Sequence, residues 1–343
     1  MDDPTAMGLA IGQAQAVRAR TSPNPWVGAV VLDRAGELVG LGATEPPGGR
    51  HAEIVALDAA RDRSDGAARD GTLVVTLEPC SHHGRTPPCT DAVTDAGIRR
   101  VVVGVTDPDP QVAGRGLDRL RGAGIDVEVG VRADDVTEQL TPYLHHRRTG
   151  RPYVVCKLAA TLDGGTAAPD GTSQWITGEA ARTDAHRMRA ESDAIVVGAG
   201  TVRADDPTLT VRHVDGPDPL RVVLGRAPAD ARVHPCLEWT GDAHEGAGGL
   251  VALLDHLGAE GVLQVMVEGG ATVVGSFHDA GLVDRYVLYL APALFGGRDA
   301  TPLLAGTTAP TIDDLWRGHL AAVRPIGDDV RIDVVATTQK EPR

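Results

Sequence analysis

Read for hydrophobic periodicity, the 343-residue chain alternates short apolar runs with helix-like stretches along most of its length. Residues 5–20 predict a helix. Trp26-Val27-Gly28-Ala29-Val30-Val31-Leu32 predicts a strand buried on both faces, since an unbroken apolar run of that length leaves no polar side. From Glu53 to about Arg61 a second helix carries Ile54, Val55 and Leu57, and Thr72 to Leu77 forms the next strand. Residues 90–97 read as a short helix closed by Gly97, and Arg100 to Val105 as another buried strand. A helix near 115–122 and a strand at 125–129 complete the run. Such alternation predicts an α/β domain with parallel crossovers.

Residues 145–151, His-His-Arg-Arg-Thr-Gly-Arg, carry no hydrophobic period and mark the expected boundary, giving domains at 1–147 and 151–343. His145 and His146 are expected to be solvent-exposed in that linker. Beyond it, strands are predicted at 152–158, 194–197, 220–224, 262–267 and 284–290, and helices at 179–191, 249–260 and 271–281. A closing hairpin is expected over 319–324 and 330–336. Neither an internal repeat nor a long low-complexity tract is present.

Composition narrows the class. Hydrophobic residues at 42% and charged residues at 23% suit a soluble globular protein, and with aromatics at 3% the core must come from Val, Leu, Ile and Ala. A formal net charge of −14 argues against a broad nucleic-acid surface but leaves room for one phosphate pocket. The start, Met1-Asp2-Asp3-Pro4, lacks the basic and apolar stretches of a signal peptide, and no apolar run suggests a membrane span. Four cysteines do not make a disulfide scaffold at this length, so a cytoplasmic setting with reduced thiols is expected. Cys156 and Cys236 are expected to be inert, with no ligand-like neighbours evident.

The chemistry concentrates in His51-Ala52-Glu53 and in Pro79-Cys80-Ser81-His82-His83-Gly84-Arg85-Thr86-Pro87-Pro88-Cys89. One imidazole and two thiolates suit tetrahedral zinc, and three protein ligands leave the fourth position to water. The ion lowers that water's pKa towards about 7, and Glu53, two residues past His51, could shuttle protons rather than bind metal. Zinc deaminases use this set, although here eight residues separate the thiols instead of the two of Cys-x-x-Cys. A closed structural site with His82 or His83 as fourth ligand is the plainer alternative; Glu53 at this offset favours the open one. These residues start helices or follow a strand's carboxyl end, where open α/β sheets bind ligands. In the second half, Gly198-Ala199-Gly200 starts a G-x-G-x-x-G pattern, but Arg203 replaces its last glycine. Val267-Glu268-Gly269-Gly270-Ala271-Thr272 at a strand-to-helix junction is a weak phosphate-binding signal.

Together these motifs resemble the bifunctional deaminase–reductase family of riboflavin biosynthesis. The likeness rests on Ser22-Pro23-Asn24-Pro25-Trp26-Val27-Gly28, on the two metal motifs, and on Asp107-Pro108-Asp109-Pro110-Gln111-Val112-Ala113-Gly114-Arg115-Gly116. It continues through Lys157-Leu158-Ala159-Ala160-Thr161-Leu162-Asp163-Gly164, Ser173-Gln174-Trp175-Ile176-Thr177, Ala204-Asp205-Asp206-Pro207-Thr208-Leu209-Thr210 and Glu268-Gly269-Gly270, so it covers nearly the whole chain.

The resemblance implies a cytidine-deaminase-like three-layer domain followed by a dihydrofolate-reductase-like α/β domain. The first would hydrolyse the 2-amino group of 2,5-diamino-6-ribosylamino-4(3H)-pyrimidinone 5′-phosphate, and the second would reduce the ribosyl chain to ribityl with NADPH. His51, Cys80 and Cys89 would hold one zinc ion, Glu53 would be the proton shuttle, and Asn24, His82 and Arg85 would contact the pyrimidine. NADPH contacts carry onto Ala160, Trp175, Thr201, Asp205 and the turn Gly270, Ala271, Thr272, Val273, Val274, Gly275 and Ser276. Substrate contacts carry onto Ser173, Arg189, Leu209, Arg212 and Glu268, with Lys157 near the ribose. The family also implies a homo-oligomer, dimer or tetramer, built through the reductase domain.

Two departures stand out. Gly225-Arg226 replaces the family's usual Asp-Ser, and the stretch from about 227 to 249 is short, as though a strand–helix unit were trimmed. Both bear on the reductase, so a deaminase with a degenerate second domain used for binding or oligomerisation is the alternative. A nucleoside or nucleic-acid deaminase with an appended domain is disfavoured by the acidic charge.

Overall fold

The computed structural model describes residues 1–82, 87–110, 112–240 and 246–336. The chain forms two compact units, Met1–Gly150 and Arg151–Arg343. In the first, the elements run α1 (Asp3–Val17), β1 (Gly28–Leu32), β2 (Leu38–Ala43), α2 (Ala52–Arg63), β3 (Thr72–Leu77), α3 (Cys89–Asp95), β4 (Arg100–Val105), α4 (Arg115–Gly122), β5 (Asp126–Val129) and α5 (Ala133–Thr149). Its five-stranded sheet has the order β2-β1-β3-β4-β5.

Only half of that sheet has the parallel crossovers expected. β3, β4 and β5 are parallel, but β1 pairs antiparallel with both β2 and β3. β2 escapes the hydrophobic pattern because Gly40 and Gly42 interrupt it. The Asp33 carboxylate, accepting from the backbone of Ala35 and Glu37, folds the short turn that reverses the chain into it.

Those glycines fix α2. A Cβ on Gly42 would lie 2.3 Å from the Ala52 carbonyl oxygen, and one on Gly40 would lie 2.1 Å from that of Ala56, so the helix backbone rests directly on the strand. A Cβ on Gly28 would lie 1.8 Å from the Ala10 carbonyl oxygen. Ala29 is paired with Gly42, so by alternation Gly28 points to the opposite face, and α1 and α2 sandwich the sheet. Val136 of α5 meets Gly104 on the α1 side.

The expected linker is not a loop. α5 continues through Thr149, ends at a left-handed Gly150, and buries His146 at 8% exposure. Basic residues in the last turn, favourable to the helix dipole, gave this segment its polar reading.

The second unit comprises β6 (Tyr153–Thr161), β7 (Gly165–Ala167), α6 (Glu179–Ala190), β8 (Ala194–Gly198), α7 (Ala199–Asp205), β9 (Leu220–Leu224), β10 (Leu237–Trp239), α8 (Gly246–Ala259), β11 (Gln264–Val267), α9 (Ala271–Asp279), β12 (Arg285–Ala291), β13 (Thr301–Pro302), β14 (Gly318–Ile326) and β15 (Asp329–Ala336). Eight of these strands form one sheet, β10-β9-β8-β11-β6-β12-β15-β14, parallel except at β15. Along β6, Val154, Cys156 and Leu158 pack with the leucines of α8, while Tyr153 and Val155 pack with Ala185 and Met188 of α6. Both faces are covered, which is why the strand reads as one apolar run. The shortened stretch still carries a strand, β10, parallel to β9.

Gly42→Ala should lower stability by about 1–3 kcal/mol, because its new methyl group meets helix backbone rather than a side chain that can move. Denaturant unfolding checks this; an unchanged midpoint would show that α2 can slide along β2.

Candidate active sites

The metal motifs meet at the carboxyl end of β3. His51 is the N-cap of α2, Glu53 lies in its first turn, Cys80 follows β3, and Cys89 opens α3. The backbone N–H of Cys89 donates to Cys80 Sγ at 3.4 Å, and that of Thr90 to the Cys80 carbonyl at 3.2 Å. Arg119 joins the Ser81 carbonyl at 3.1 Å to Asp91 at 2.6 Å. Both thiols are thereby anchored across the intervening loop.

Nδ1 of His51 lies 3.5 Å from Cys80 Sγ and 3.3 Å from Cys89 Sγ, and the three donor atoms lie within 4.8 Å of one another. Tetrahedral zinc with ordinary Zn–S and Zn–N bonds places nitrogen and sulfur about 3.5 Å apart, so this donor set fits the ion. Hydrogen bonds from Cys89 and His51 lower Cys80 to about 4 against the effect of burial, while its sulfur and burial raise Cys89. One thiolate, one thiol and one imidazole around a common point make a cluster that a divalent cation completes by displacing a proton.

Glu53 is 4% exposed and is not part of the donor cluster. Burial, and then the neighbouring Cys80 sulfur, push its carboxyl up to about 7. It faces a cavity of about 580 Å³ lined also by Asn24, His51, Cys80 and His82. Asn24 and His82 are thus brought to the metal ligands as expected; Arg85 lies outside the described residues. Arg147 of α5 also lines the cavity, its guanidinium 5.0 Å from the centre of the Tyr143 ring.

Two residues of this cavity, Glu78 and Asp107, were given no role in the sequence reading. Glu78, buried at the end of β3, accepts from the backbone N–H groups of Asp107 (3.3 Å), Gly114 (3.0 Å) and Gly116 (2.9 Å). It thereby ties the Asp107–Gly116 segment and the start of α4 to the end of β3. Asp107 accepts from the Tyr143 hydroxyl at 2.9 Å. The available signal was a carboxylate placed directly after a largely apolar, buried strand, where burial demands partners.

In the second unit, Lys157 of β6 and Arg189 of α6 converge on Glu268, just past β11, at 3.3 and 2.7 Å. Arg189 also donates to the Thr210 carbonyl at 2.6 Å and is 7% exposed, far from an ordinary surface arginine. Burial would raise the Glu268 carboxyl, but Lys157 and Arg189 outweigh it and hold it down at about 2. Arg212 donates to Thr208 Oγ1 at 2.8 Å, and its backbone N–H to His186. Leu209 has a left-handed backbone (φ 53°) and a core-buried side chain, so only its backbone can face a ligand.

The cofactor residues divide. Gly270 is the N-cap of α9, and a Cβ there would meet only Thr201 Oγ1, at 3.8 Å. The first turn of α9 therefore lies open beside α7, which carries Thr201 and Asp205. Val274 and Gly275, by contrast, are core: Val274 is fully buried, and a Cβ on Gly275 would lie 1.5 Å from the Ala305 carbonyl oxygen. Ala160 is buried on β6. Ser173 lies half-buried in the 168–178 loop. Trp175 of the same loop is 67% exposed, with the Arg182 guanidinium 4.7 Å from its ring centre, so it is not core. Cys236 has neighbours after all, with His234 Nδ1 at 3.5 Å.

Two family models match the chain, one in each unit. Residues 2–105 match the cytidine and deoxycytidylate deaminase zinc-binding region, and residues 152–332 match the RibD C-terminal domain. The riboflavin biosynthesis protein RibD of Mycobacterium tuberculosis is 44% identical over 340 residues, covering 96% of each chain. The chain belongs to the RibD family. The Escherichia coli RibD is 39% identical over 371 residues, covering 98% of this chain and all of its own. Acinetobacter baumannii RibD superposes with a TM-score of 0.88 at 36% identity, covering 98% of this chain and 99% of its own. A Thermotoga maritima structure, titled a diaminohydroxyphosphoribosylaminopyrimidine deaminase/5-amino-6-(5-phosphoribosylamino)uracil reductase, gives 0.88 at 32% identity, covering 97% and 98%. The fold is therefore a cytidine-deaminase-like domain followed by the dihydrofolate-reductase-like RibD reductase domain.

Because Glu268 titrates at about 2 when folded against 4.5 when free, its ion pairs contribute stability above about pH 4.5 and lose it as pH falls towards 2. The shift corresponds to roughly 3 kcal/mol. Glu268→Gln should therefore be less stable at pH 7 and lose less than the parent between pH 4.5 and 2, as read by urea unfolding across that range. Equal stability at pH 7 would contradict the pairing.

Proposed function

We propose that residues 1–147 hydrolyse the 2-amino group of 2,5-diamino-6-ribosylamino-4(3H)-pyrimidinone 5′-phosphate, and that residues 151–343 then reduce its ribosyl chain to ribityl. Membership of the RibD family makes the protein a bifunctional enzyme of riboflavin biosynthesis, zinc-dependent in its deaminase and NADPH-using in its reductase. The observation that carries the deaminase assignment is a three-donor cluster able to hold a metal with a buried carboxylate, outside that donor set, beside it on one cavity.

His51, Cys80 and Cys89 would hold the zinc, which when bound supplies the Lewis acidity that lets water ionise near neutral pH. Glu53 takes a proton from the attacking water and delivers it to the departing amino nitrogen; its burial keeps that carboxyl near the proton affinity such a relay needs. Asn24 and His82 hold the pyrimidine, Glu78 holds the far wall, and Arg85 is assigned to the phosphate from its place in the motif.

In the reductase, NADPH when bound supplies the hydride. The backbone N–H groups at Gly270, Ala271 and Thr272 are free for its phosphates, with Thr201 alongside. Glu268 fixes Lys157 and Arg189 so that their donors face substrate in one arrangement, and Ser173 and Arg212 are assigned to the same substrate from their place in the family's motifs. Family likeness across both halves favours this reading over a deaminase with a degenerate second domain. Edge strand β14, with Leu320 and Val323 exposed, supports a homo-oligomer through this unit. A cytoplasmic setting suits four free cysteines; among the described residues no helix is long and apolar enough to cross a membrane.

Glu53→Gln should retain zinc and lose deaminase kcat by roughly 10²–10⁴-fold, whereas Cys80→Ser should lose metal and activity together. Zinc loss in both variants would make Glu53 a structural residue. For the second site, NADPH should bind the full chain and be oxidised at 340 nm only with deaminated substrate. Absence of binding at millimolar NADPH would leave the deaminase reading standing alone.

A further inference from the structure

Glu238 of β10, with His234 and Cys236 just before the strand, makes a second group of side chains able to bind a metal, more than a chance proximity. His234, Cys236 and Glu238 come together across a bend at Pro235 and the start of β10, while Leu237 and Trp239 turn into the α8 core. One ligand atom from each lies within 4.8 Å of the others, and His234 Nδ1 is 3.5 Å from Cys236 Sγ, the spacing found at His51.

Two of the three are also oriented from behind. His234 Nε2 lies 3.0 Å from the Pro228 carbonyl, which can only accept, so the ring carries its proton there and turns the Nδ1 lone pair towards Cys236. The backbone N–H of Ala227 donates to Glu238 Oε1 at 3.0 Å, leaving the other oxygen free. A histidine donating its remote N–H to a carbonyl, beside a hydrogen-bonded carboxylate, is the outer-shell support that metal ligands receive. Arg221 braces the segment through the Val233 and His234 carbonyls, each at 3.4 Å.

We propose that His234, Cys236 and Glu238 form a second metal site, taking a zinc-like divalent cation with its fourth position open to water. Imidazole, thiolate and carboxylate together select a borderline ion over Mg²⁺ or Ca²⁺, which prefer oxygen alone, and the two anionic ligands balance its charge. His234 and Glu238 are exposed and Cys236 half-buried, so the ion reaches the site from solvent. The bound ion clips β10 to the 227–228 turn. The backbone N–H of Gly225, where the family's Asp-Ser is missing, already bonds to Trp239 of this strand, so the clip falls where the chain departs from its relatives.

The test is metal content of the full chain equilibrated with micromolar Zn²⁺ and freed of unbound ion. Wild type should hold two ions per chain, and Cys236→Ser and His234→Ala one each, with deamination unchanged. Cys80→Ser should keep one, lost on adding Cys236→Ser. In unmutated protein, Zn²⁺ should slow alkylation of Cys236 at least tenfold, read by peptide mass. Co²⁺ bound to Cys80→Ser should show thiolate-to-cobalt absorption, absent from the double variant. One ion per chain in wild type, equal content in wild type and Cys236→Ser, or unprotected Cys236 would each overturn the proposal.

Discussion

Two helix starts brought against the end of one strand set the geometry on which the N-terminal unit depends. α2 presents His51 and Glu53, α3 presents Cys89, and β3 delivers Cys80 between them. Each side chain opens a helix or lies within three residues of a strand's end, so its position follows largely from sheet packing. That packing is set by absent side chains: Gly40 and Gly42 let α2 lie on β2 at backbone contact. Any lateral shift of α2 would move His51 and Glu53 together. Tight packing is therefore a condition of the chemistry as well as of stability.

The two units share a device. In each, a carboxylate stands immediately after a central parallel strand and organises what surrounds the strand end. Glu78 after β3 gathers backbone N–H groups from the 107–117 region, and Glu268 after β11 gathers two cationic side chains. Buried carboxylates are tolerated only with such partners, and the partners become fixed in turn. Glu78 thus yields a rigid wall and Glu268 a pair of aimed donors.

What was legible in the sequence followed from periodicity and donor chemistry. The long apolar runs located β1, β3, β4, β6 and β8, because strands covered on both faces have nowhere to place polar residues. His51, Glu53, Cys80 and Cys89 stood out because few functions need that donor set at helix and strand ends. β2 was hidden because its glycines, required for α2 to approach, dilute its hydrophobicity. α5 was hidden because its last turn is basic and its core contacts come from Val136, Leu140 and Tyr143 at helical spacing further upstream. The role of Glu78 was hidden because its partners are backbone groups, which no sequence pattern names. His234, Cys236 and Glu238 were unreadable because a bend at Pro235, which hydrophobic periodicity does not name, brings His234 to the two residues that follow it.

The central claim is an open tetrahedral metal with His51, Cys80 and Cys89 as its only protein ligands and Glu53 outside the coordination shell. Zinc K-edge X-ray absorption on the His234→Ala chain loaded with one ion tests it most directly. The account predicts two sulfur atoms at about 2.3 Å, one imidazole nitrogen and one further light atom at about 2.0 Å, with unchanged scattering in Glu53→Gln. A second imidazole closing the shell, or a spectrum altered by Glu53→Gln, would contradict it.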